Sequence, residues 1–193
     1  LTTMIVVYSM SKKWDVSCTV NAFLPGLVTI TCPCYWVSPA GSIVLGGIAG
    51  IIVVVAAEVL EYLRIDDPIG AVPVHGICGI WGTLSLGLFA SGQYGATGPI
   101  SADNATPLTG LLYGGGTKVL FAQLIGSAIV TVSTFTVALV VMYSVHMLGQ
   151  LRVSREGEAY GLDLHEHGIP AYPEYVITAS GRPDGMVHGE SAL

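Results

Sequence analysis

Charged side chains are scarce in this chain of 193 residues: they make up only 10% of it, and lysine and arginine together number seven. In soluble domains charged residues make up about 25%. So few basic residues argue against a nucleic-acid-binding surface. The mean hydropathy is high, at +0.68, and several apolar runs are long enough to cross a bilayer. The composition therefore predicts an integral membrane protein.

The chain also has little of the chemistry that enzymes and metal sites need. Its four cysteines (Cys18, Cys32, Cys34 and Cys78) lie in or beside apolar segments, without CxxC spacing or accompanying histidines. Two thiolates at Cys32 and Cys34 do not make a closed zinc site, which takes four ligands, so small buried side chains are the expected role. No nucleophile–base pair or carboxylate pair stands out. We therefore predict neither an enzyme nor a bound metal or cofactor.

Five apolar segments predict an all-α membrane protein with four complete transmembrane helices and the end of a fifth. They lie at about residues 1–10, 17–37, 41–63, 72–90 and 118–150. Pro25 and Pro33 interrupt the second segment, and each should remove a helix hydrogen bond. A loop rich in glycine, threonine, serine and proline spans residues 91–117. The predicted transmembrane region is therefore 1–150, and the polar residues 151–193, called the tail below, follow it.

The N-terminus carries no signal-peptide pattern, because residues 1–10 are apolar without a basic segment before them or a cleavage site after them. The expectation is a truncated chain that begins within a helix.

The distribution of basic residues predicts the orientation. Alternating crossings place most of them on one side of the membrane, among them Lys12, Lys13, Arg64, Arg152 and Arg155. Only Lys118 falls on the other side, at the end of a helix. Basic residues accumulate on the cytoplasmic side, so the tail is expected in the cytoplasm of a cell whose inner or plasma membrane holds the protein.

Residues 64–81 contain the most informative pattern. They begin with charges and a proline and become apolar around a single histidine, His75. Gly76, Gly79 and Gly82 follow at three-residue intervals, which allows a neighbouring helix to approach closely. An ionisable group in a membrane helix faces the protein interior or an aqueous path, and histidine is suited to pass protons. The residues alone leave two interpretations open: a pathway histidine, or an imidazole that bonds a backbone carbonyl and supports packing.

Three segments resemble motifs of the ammonium transporter family (Amt/MEP/Rh), and they occur in the family's order. Asp66-Asp-Pro68 with His75-Gly-Ile-Cys-Gly79 resembles the motif of the second of two pore histidines. Residues 21–39 resemble the family's N-G-A-L-A-G-L-V-x-I-T segment, with Phe23 and Pro25 where alanines are usual. Residues 161–172 resemble the motif of its C-terminal tail. The likeness covers about residues 1–175 and the second half of the family's fold.

The resemblance implies a pair of inverted five-helix repeats with the pore between them, of which this chain holds most of the second repeat and the last helix. It implies that ammonium is recruited at the outer face and deprotonated, and that ammonia passes along two histidines. His75 would be the inner of the two. Its partner histidine and the outer recruitment residues are not in this chain. The complete protein would be a homotrimer.

The resemblance also implies roles on the cytoplasmic side. Gly161, Asp163 and Tyr172 belong to the tail motif, which would pack against the inner face of a neighbouring subunit. Arg64, Asp66 and Asp67 lie in a loop on the same side. In bacterial members this face also meets signalling proteins of the PII type.

Two alternatives stay open at this stage. The first is an Amt-like sensor or regulatory protein that binds partners through its tail without conducting. The second, from another class, is a small redox protein in which His75 and His146 ligate a haem.

Overall fold

The computed structural model describes residues 1–14, 22–94, 107–169 and 171. Within these ranges the chain is helical and contains no strand, apart from an isolated bridge between Ser91 and Thr109. The helices, in chain order, are α1 (Thr2–Ser11), α2 (Phe23–Thr31), α3 (Pro39–Tyr62), a π-helix (Val72–Ile77), α4 (Cys78–Phe89), a 3-10 turn (Leu111–Tyr113), α5 (Lys118–Met147), α6 (Arg155–Tyr160) and α7 (Leu162–His167). The prediction of an all-α protein is therefore confirmed.

Three described helical segments are long and apolar enough to cross a membrane: Pro39–Tyr62, Val72–Phe89 and Lys118–Met147. Their 24, 18 and 30 residues correspond to about 36, 27 and 45 Å of helix. The last segment exceeds the ~30 Å of the hydrocarbon layer by the most, so we expect it to tilt or protrude. The first predicted segment corresponds to the ten-residue helix α1.

The sequence predicts four complete crossings, whereas three described helices are long enough to cross. The predicted crossing without such a helix is the second one, at residues 17–37. Residues 17–21 of that crossing lie outside the described residues, and its described helix is only the nine-residue α2. The helix ends two residues before Pro33, and turns follow up to Trp36. Pro25 lies in the first turn of α2, where a backbone N–H has no helical partner to lose. The expectation that Pro25 removes a helix hydrogen bond is therefore wrong, because the described helix begins only two residues before it.

The start of α3 has a clear local cause. Ser38 is extended, and its hydroxyl oxygen accepts a hydrogen bond from the backbone N–H of Gly41 at 3.0 Å. Pro39 takes the first helical position, where its fixed φ suits a helix and its missing N–H costs nothing. A serine cap followed by proline thus fixes where this membrane helix begins.

The chain divides into two compact units, Leu1–Ser133 and Thr134–Leu193. In the first unit, α2, α3 and α4 pack together around residues with no exposed surface, among them Thr29, Leu45 and Cys78. Close approach between α2 and α4 depends on Gly82, where an added Cβ would lie 2.5 Å from the Thr29 carbonyl oxygen. Such contacts suit a membrane interior, where helix pairs gain from small residues rather than from hydrophobic burial.

Helix α1 packs along α3, and the two run parallel. Near the start of α1 the Thr3 hydroxyl donates to the carbonyl of Gly50, in the middle of α3, at 3.2 Å. Near their ends Ser11 and Glu61 line the same cavity. The residues that follow both helices, Lys12 and Arg64, therefore lie at the same end of the first unit, as alternating crossings require.

The described part of the second unit contains the end of α5 and two short helices of the tail. The Ser154 hydroxyl accepts from the Gly157 backbone N–H at 3.0 Å and begins α6. Helices α6 and α7 meet where Gly157 faces the imidazole of His165, so closely that an added Cβ would lie 2.5 Å from that ring. Arg152 and Glu158 form an ion pair of 2.7 Å at the surface.

Candidate functional site

His75 lies in the π-helix Val72–Ile77, at the start of the segment that continues as α4. The wider turn is visible in the bond from the Cys78 N–H to the Pro73 carbonyl, five residues back. A π-helix is rare; it occurs mostly as a single turn inside an α-helix, and frequently at functional sites. The local geometry therefore singles out the same segment as the histidine motif.

The His75 side chain is exposed, although Val74 and Cys78 on the same segment are buried. Within the described ranges, the imidazole has no hydrogen-bond partner. The second interpretation from the sequence is an imidazole that bonds a backbone carbonyl and supports packing. In the part of the chain that is described, no carbonyl accepts a hydrogen bond from His75. A free imidazole at the surface of an apolar segment is chemically available to a solute or to another helix.

Asp67 fixes the beginning of this segment. Its two carboxylate oxygens accept hydrogen bonds from the N–H groups of Ala71 and Val72, each at 2.8 Å. These are N–H groups that a helix start leaves without partners, and the negative charge also suits the positive end of the helix dipole. Asp67, which the sequence analysis assigns to cytoplasmic coupling, therefore fixes the start of the π-helix, three residues before His75.

The other end of the π-helix is fixed by two neighbouring helices. The Thr29 hydroxyl of α2 donates to the Cys78 carbonyl at 3.2 Å, and both residues are completely buried. The Cys78 thiol points to the Ala49 carbonyl of α3 at 3.8 Å, a weak thiol contact. One turn further on, the Trp81 indole N–H donates to the Leu45 carbonyl at 3.3 Å. His75 thus lies between a capped start and a buried junction.

The remaining residues of the predicted inner loop are exposed. Arg64 has a positive φ of 58° and follows the end of α3 at Tyr62. The sequence spacing permits an ion pair between Glu61 and Arg64, but the described residues contain no such pair, because Arg64 has left the helix that would align the two side chains. Asp66 is exposed, next to the capping Asp67.

An acidic cavity adjoins this loop. It measures about 350 Å³ and its lining includes Glu58, Glu61 and Asp67. The two glutamates lie near the end of α3, a position from which acidic side chains reach the membrane interface. Both side chains are exposed, in keeping with the interfacial position.

The tail motif brings Gly161 and Asp163 together, while Tyr172 lies outside the described residues. Gly161 has a φ of 101°, and a Cβ there would lie 2.7 Å from an Asp163 carboxylate oxygen. The Asp163 carboxylate accepts from the N–H of Ala171 at 2.8 Å. Backbone hydrogen bonds from Ala171 and then Leu164 lower the pKa of Asp163. The carboxylate therefore closes the described end of the tail onto α7.

Comparison with known proteins identifies the family. A family model described as Ammonium Transporter Family matches residues 1–172. The chain belongs to the ammonium transporter family. It is 39% identical to ammonium transporter Amt2 of Archaeoglobus fulgidus over 189 residues, which cover 98% of this chain and 39% of that relative. The chain thus spans well under half the length of this relative.

Solved structures share the fold. One titled "Sensor Amt Protein" superposes with a TM-score of 0.70 at 29% identity, covering 86% of this chain and 38% of its own. The structure of Saccharomyces cerevisiae Mep2 gives a TM-score of 0.64 at 26% identity, covering 80% of this chain and 34% of its own. The family and the three apolar helices make this a multi-pass membrane protein. The relatives are named as transporters rather than enzymes, as the sequence predicts.

The sequence analysis missed two features of the site: the cap formed by Asp67 and the hydrogen bond of Thr29. The cap could have been predicted, because an aspartate shortly before an apolar helix commonly caps its first turn. The Thr29 bond could not have been predicted, because the hydroxyl of a threonine in an apolar helix can bond a carbonyl of its own helix as readily as one of another helix.

Proposed function

We propose that this chain forms part of an ammonium-transporting membrane protein and that His75 lines the path of the transported ammonia. The observation that carries the proposal is the exposed imidazole of His75, without a hydrogen-bond partner among the described residues, on a π-helix within an apolar segment. Membership of the ammonium transporter family supports the substrate.

The physical chemistry of the bilayer favours transport of the neutral molecule. A cation at the centre of a membrane is costly, so ammonium gives its proton to water or a base at the outer face and ammonia crosses the apolar section. A neutral imidazole has one donor and one acceptor nitrogen, so His75 can accept a hydrogen bond from ammonia or donate one to it. His75 needs no permanent charge for this role, and a second imidazole beside it would allow a proton to be relayed.

The rest of the assembly is proposed from the family resemblance. The other pore histidine and the outer recruitment residues would come from helices that this chain does not contain, and the complete protein would be a homotrimer. The tail would lie in the cytoplasm, where Gly161, Asp163 and Tyr172 would contact a neighbouring subunit, and Arg64, Asp66 and Asp67 would border the same face. That face is the proposed site for a PII-type signalling protein. The shared end of Lys12 and Arg64 supports this orientation.

Transport is favoured over both alternatives. The relatives are named as ammonium transporters, which favours transport over a sensor without conduction. The name "Sensor Amt Protein" belongs to a similar structure and assigns no sensor role to this chain. Haem ligation by His75 and His146 has no support beyond the two histidines themselves.

The test is uptake by the protein expressed from its full reading frame in yeast that lacks its own ammonium carriers. We expect the wild type to restore growth on low ammonium and to take up radiolabelled methylammonium. In His75→Ala, uptake should fall by about tenfold or more, because a positioned proton donor and acceptor is lost. His146→Ala, on α5, should transport like the wild type.

Membrane insertion and oligomeric state are measured for each variant, so that loss of uptake is not confused with loss of protein. If a well-inserted wild type gives neither growth nor current, the transport proposal is wrong and a sensor becomes the better interpretation. If His75→Ala transports normally, the protein is a transporter in which His75 has no role in the path.

A further inference from the structure

We infer that Thr29 is a positioning residue for His75: its hydroxyl, by bonding the Cys78 carbonyl, holds the π-helix in the register that sets the direction of the imidazole. This inference rests on the proposed function of His75 for its effect on transport, while its effect on the geometry of the π-helix is independent of transport.

The first support is the direction of the Thr29 bond, which runs between two helices. Hydroxyls on apolar helices commonly bond to a carbonyl three or four residues back in their own helix. Ser11, Thr31 and Ser144 do so in this chain, to Val7, Leu27 and Val140 respectively. Thr29 instead crosses from α2 to the Cys78 carbonyl of α4. This hydroxyl therefore links two helices rather than serving its own.

The second support is the position of the accepting carbonyl. Cys78 is the first residue of α4, directly after the π-helix, and its own N–H closes the five-residue bond to Pro73. The junction between two helical registers is thus the point that Thr29 contacts. Because Thr29 and Cys78 are completely buried, water cannot replace the bond if it is removed.

The third support is that α2 and α4 are packed as closely as their backbones allow beside the Thr29 bond. An added Cβ at Gly82 would lie 2.5 Å from the Thr29 carbonyl oxygen, so α2 and α4 already touch backbone to backbone. Asp67 fixes the other end of the π-helix through Ala71 and Val72. With both ends held, the wide turn stays where it is. If the turn moved along the chain, the residues it passed would rotate by about 100° around the helix axis, and His75 would face a different neighbour.

The test compares three variants of the protein expressed from its full reading frame. Thr29→Val keeps the shape and removes the hydroxyl, Thr29→Ser keeps the hydroxyl, and Thr31→Val removes the locally bonded hydroxyl two residues away. Two readouts are taken: methylammonium uptake at several concentrations, and the rate at which diethylpyrocarbonate modifies His75, followed by mass spectrometry across a range of pH.

We expect Thr29→Val to lower the maximal uptake rate by about three- to tenfold, the scale of a lost interhelical bond or a slightly misplaced group, with little change in the half-saturating concentration. The pH profile of His75 modification should shift in the same variant. Thr29→Ser should recover most of both properties, and Thr31→Val should match the wild type. A merely structural role would lower the amount of folded protein without moving the pH profile of His75.

Wild-type uptake and wild-type His75 modification in well-folded Thr29→Val would overturn the inference. If Thr29→Val does not fold, Thr29→Cys replaces it, because a thiol of similar size is a weaker donor and should give an intermediate profile; a wild-type profile there also overturns the inference. If the wild type does not transport, the proposed function fails, but the modification profiles still decide whether Thr29 positions His75.

Discussion

Two apolar segments of this chain, Val72–Phe89 and Lys118–Met147, differ in what covers them. Both have the length and composition of a membrane span. In Val72–Phe89, 39% of the residues are buried among the described residues, whereas no residue of Lys118–Met147 is buried among them. The more apolar of the two segments is the one without a buried residue. Hydropathy therefore indicates suitability for lipid, and does not indicate which helix packs against the other described helices.

The positions of small residues explain the difference in burial between the two segments better than hydropathy does. In Val72–Phe89, Gly82 approaches the backbone of Thr29 on α2, and Gly87 approaches that of Leu120 on α5. At Gly126 of α5, by contrast, an added Cβ would meet nothing within 4 Å. Close backbone contact is the main source of attraction between helices in lipid. Within these two segments, a glycine thus permits close helix packing only where a neighbour fills the space that a side chain would take.

The largest expected effect comes from filling one of these spaces. In Gly82→Ala the new methyl group would overlap the Thr29 carbonyl, and backbone cannot move aside as a flexible side chain does. We expect a loss of about 1–3 kcal/mol in the free energy of unfolding, the usual range for an overpacked site. SDS titration of the purified protein, followed by circular dichroism, measures it.

Gly126→Ala is the matched control, because it adds the same methyl group to a helix with open space beside it. Its stability should equal or slightly exceed that of the wild type, since alanine favours a helix over glycine. Equal losses in the two variants would contradict the contrast between the two segments.

A smaller effect is expected where the two segments meet. The hydroxyls of Thr83 on α4 and Ser127 on α5 lie 2.8 Å apart. Thr83→Val and Ser127→Ala, made singly and together, should give a coupling free energy of about 0.6 kcal/mol, the average for hydrogen bonds between membrane helices. A double-mutant cycle in SDS titration measures this coupling. A coupling of zero would mean that α4 and α5 are joined by packing alone, through contacts such as Gly87 with Leu120.

The smallest effect should appear outside the membrane segments, in the tail. Backbone bonds from Ala171 and Leu164 lower the pKa of Asp163 below its ordinary value of 3.8. A lowered pKa means that the ionised form stabilises the folded tail, fully above that ordinary value, and that the contribution disappears as the pH falls through the lower folded-state value. Hydrogen exchange of the Ala171 amide should therefore quicken in acid, relative to its intrinsic rate.

Asp163→Asn supplies the control for the tail. The amide oxygen of asparagine still accepts a hydrogen bond but does not titrate, so protection of Ala171 should be weaker and independent of acid pH. The amides of α4 should keep their protection in both proteins. Acid-induced loss of protection in α4 rather than at Ala171 would show that titration acts on the membrane segments instead.

Much of this protein was predictable from the sequence, because the bilayer imposes strong local rules. Long continuous apolar runs with few charges predict membrane helices, which satisfy their backbone polar groups internally, so the all-α class follows from these runs. The motif around His75 and the Asp66-Asp-Pro68 loop predicted the family, which the family model then confirmed. The start of α2 was not predictable from Pro25, because a proline is harmless in the first turn of a helix and disruptive later in it.

Only the tertiary structure decided how the histidine is held. The sequence contains Thr29, Thr31 and Thr83 with similar apolar surroundings, yet only the packing of α2 against α4 gives Thr29 its partner in Cys78. The wide turn at Val72–Ile77 likewise depends on what holds its two ends. Hydropathy and motifs are properties of neighbouring residues along the chain. The direction of a side chain depends on contacts between residues such as Thr29 and Cys78, which are 49 positions apart and meet only when the helices pack.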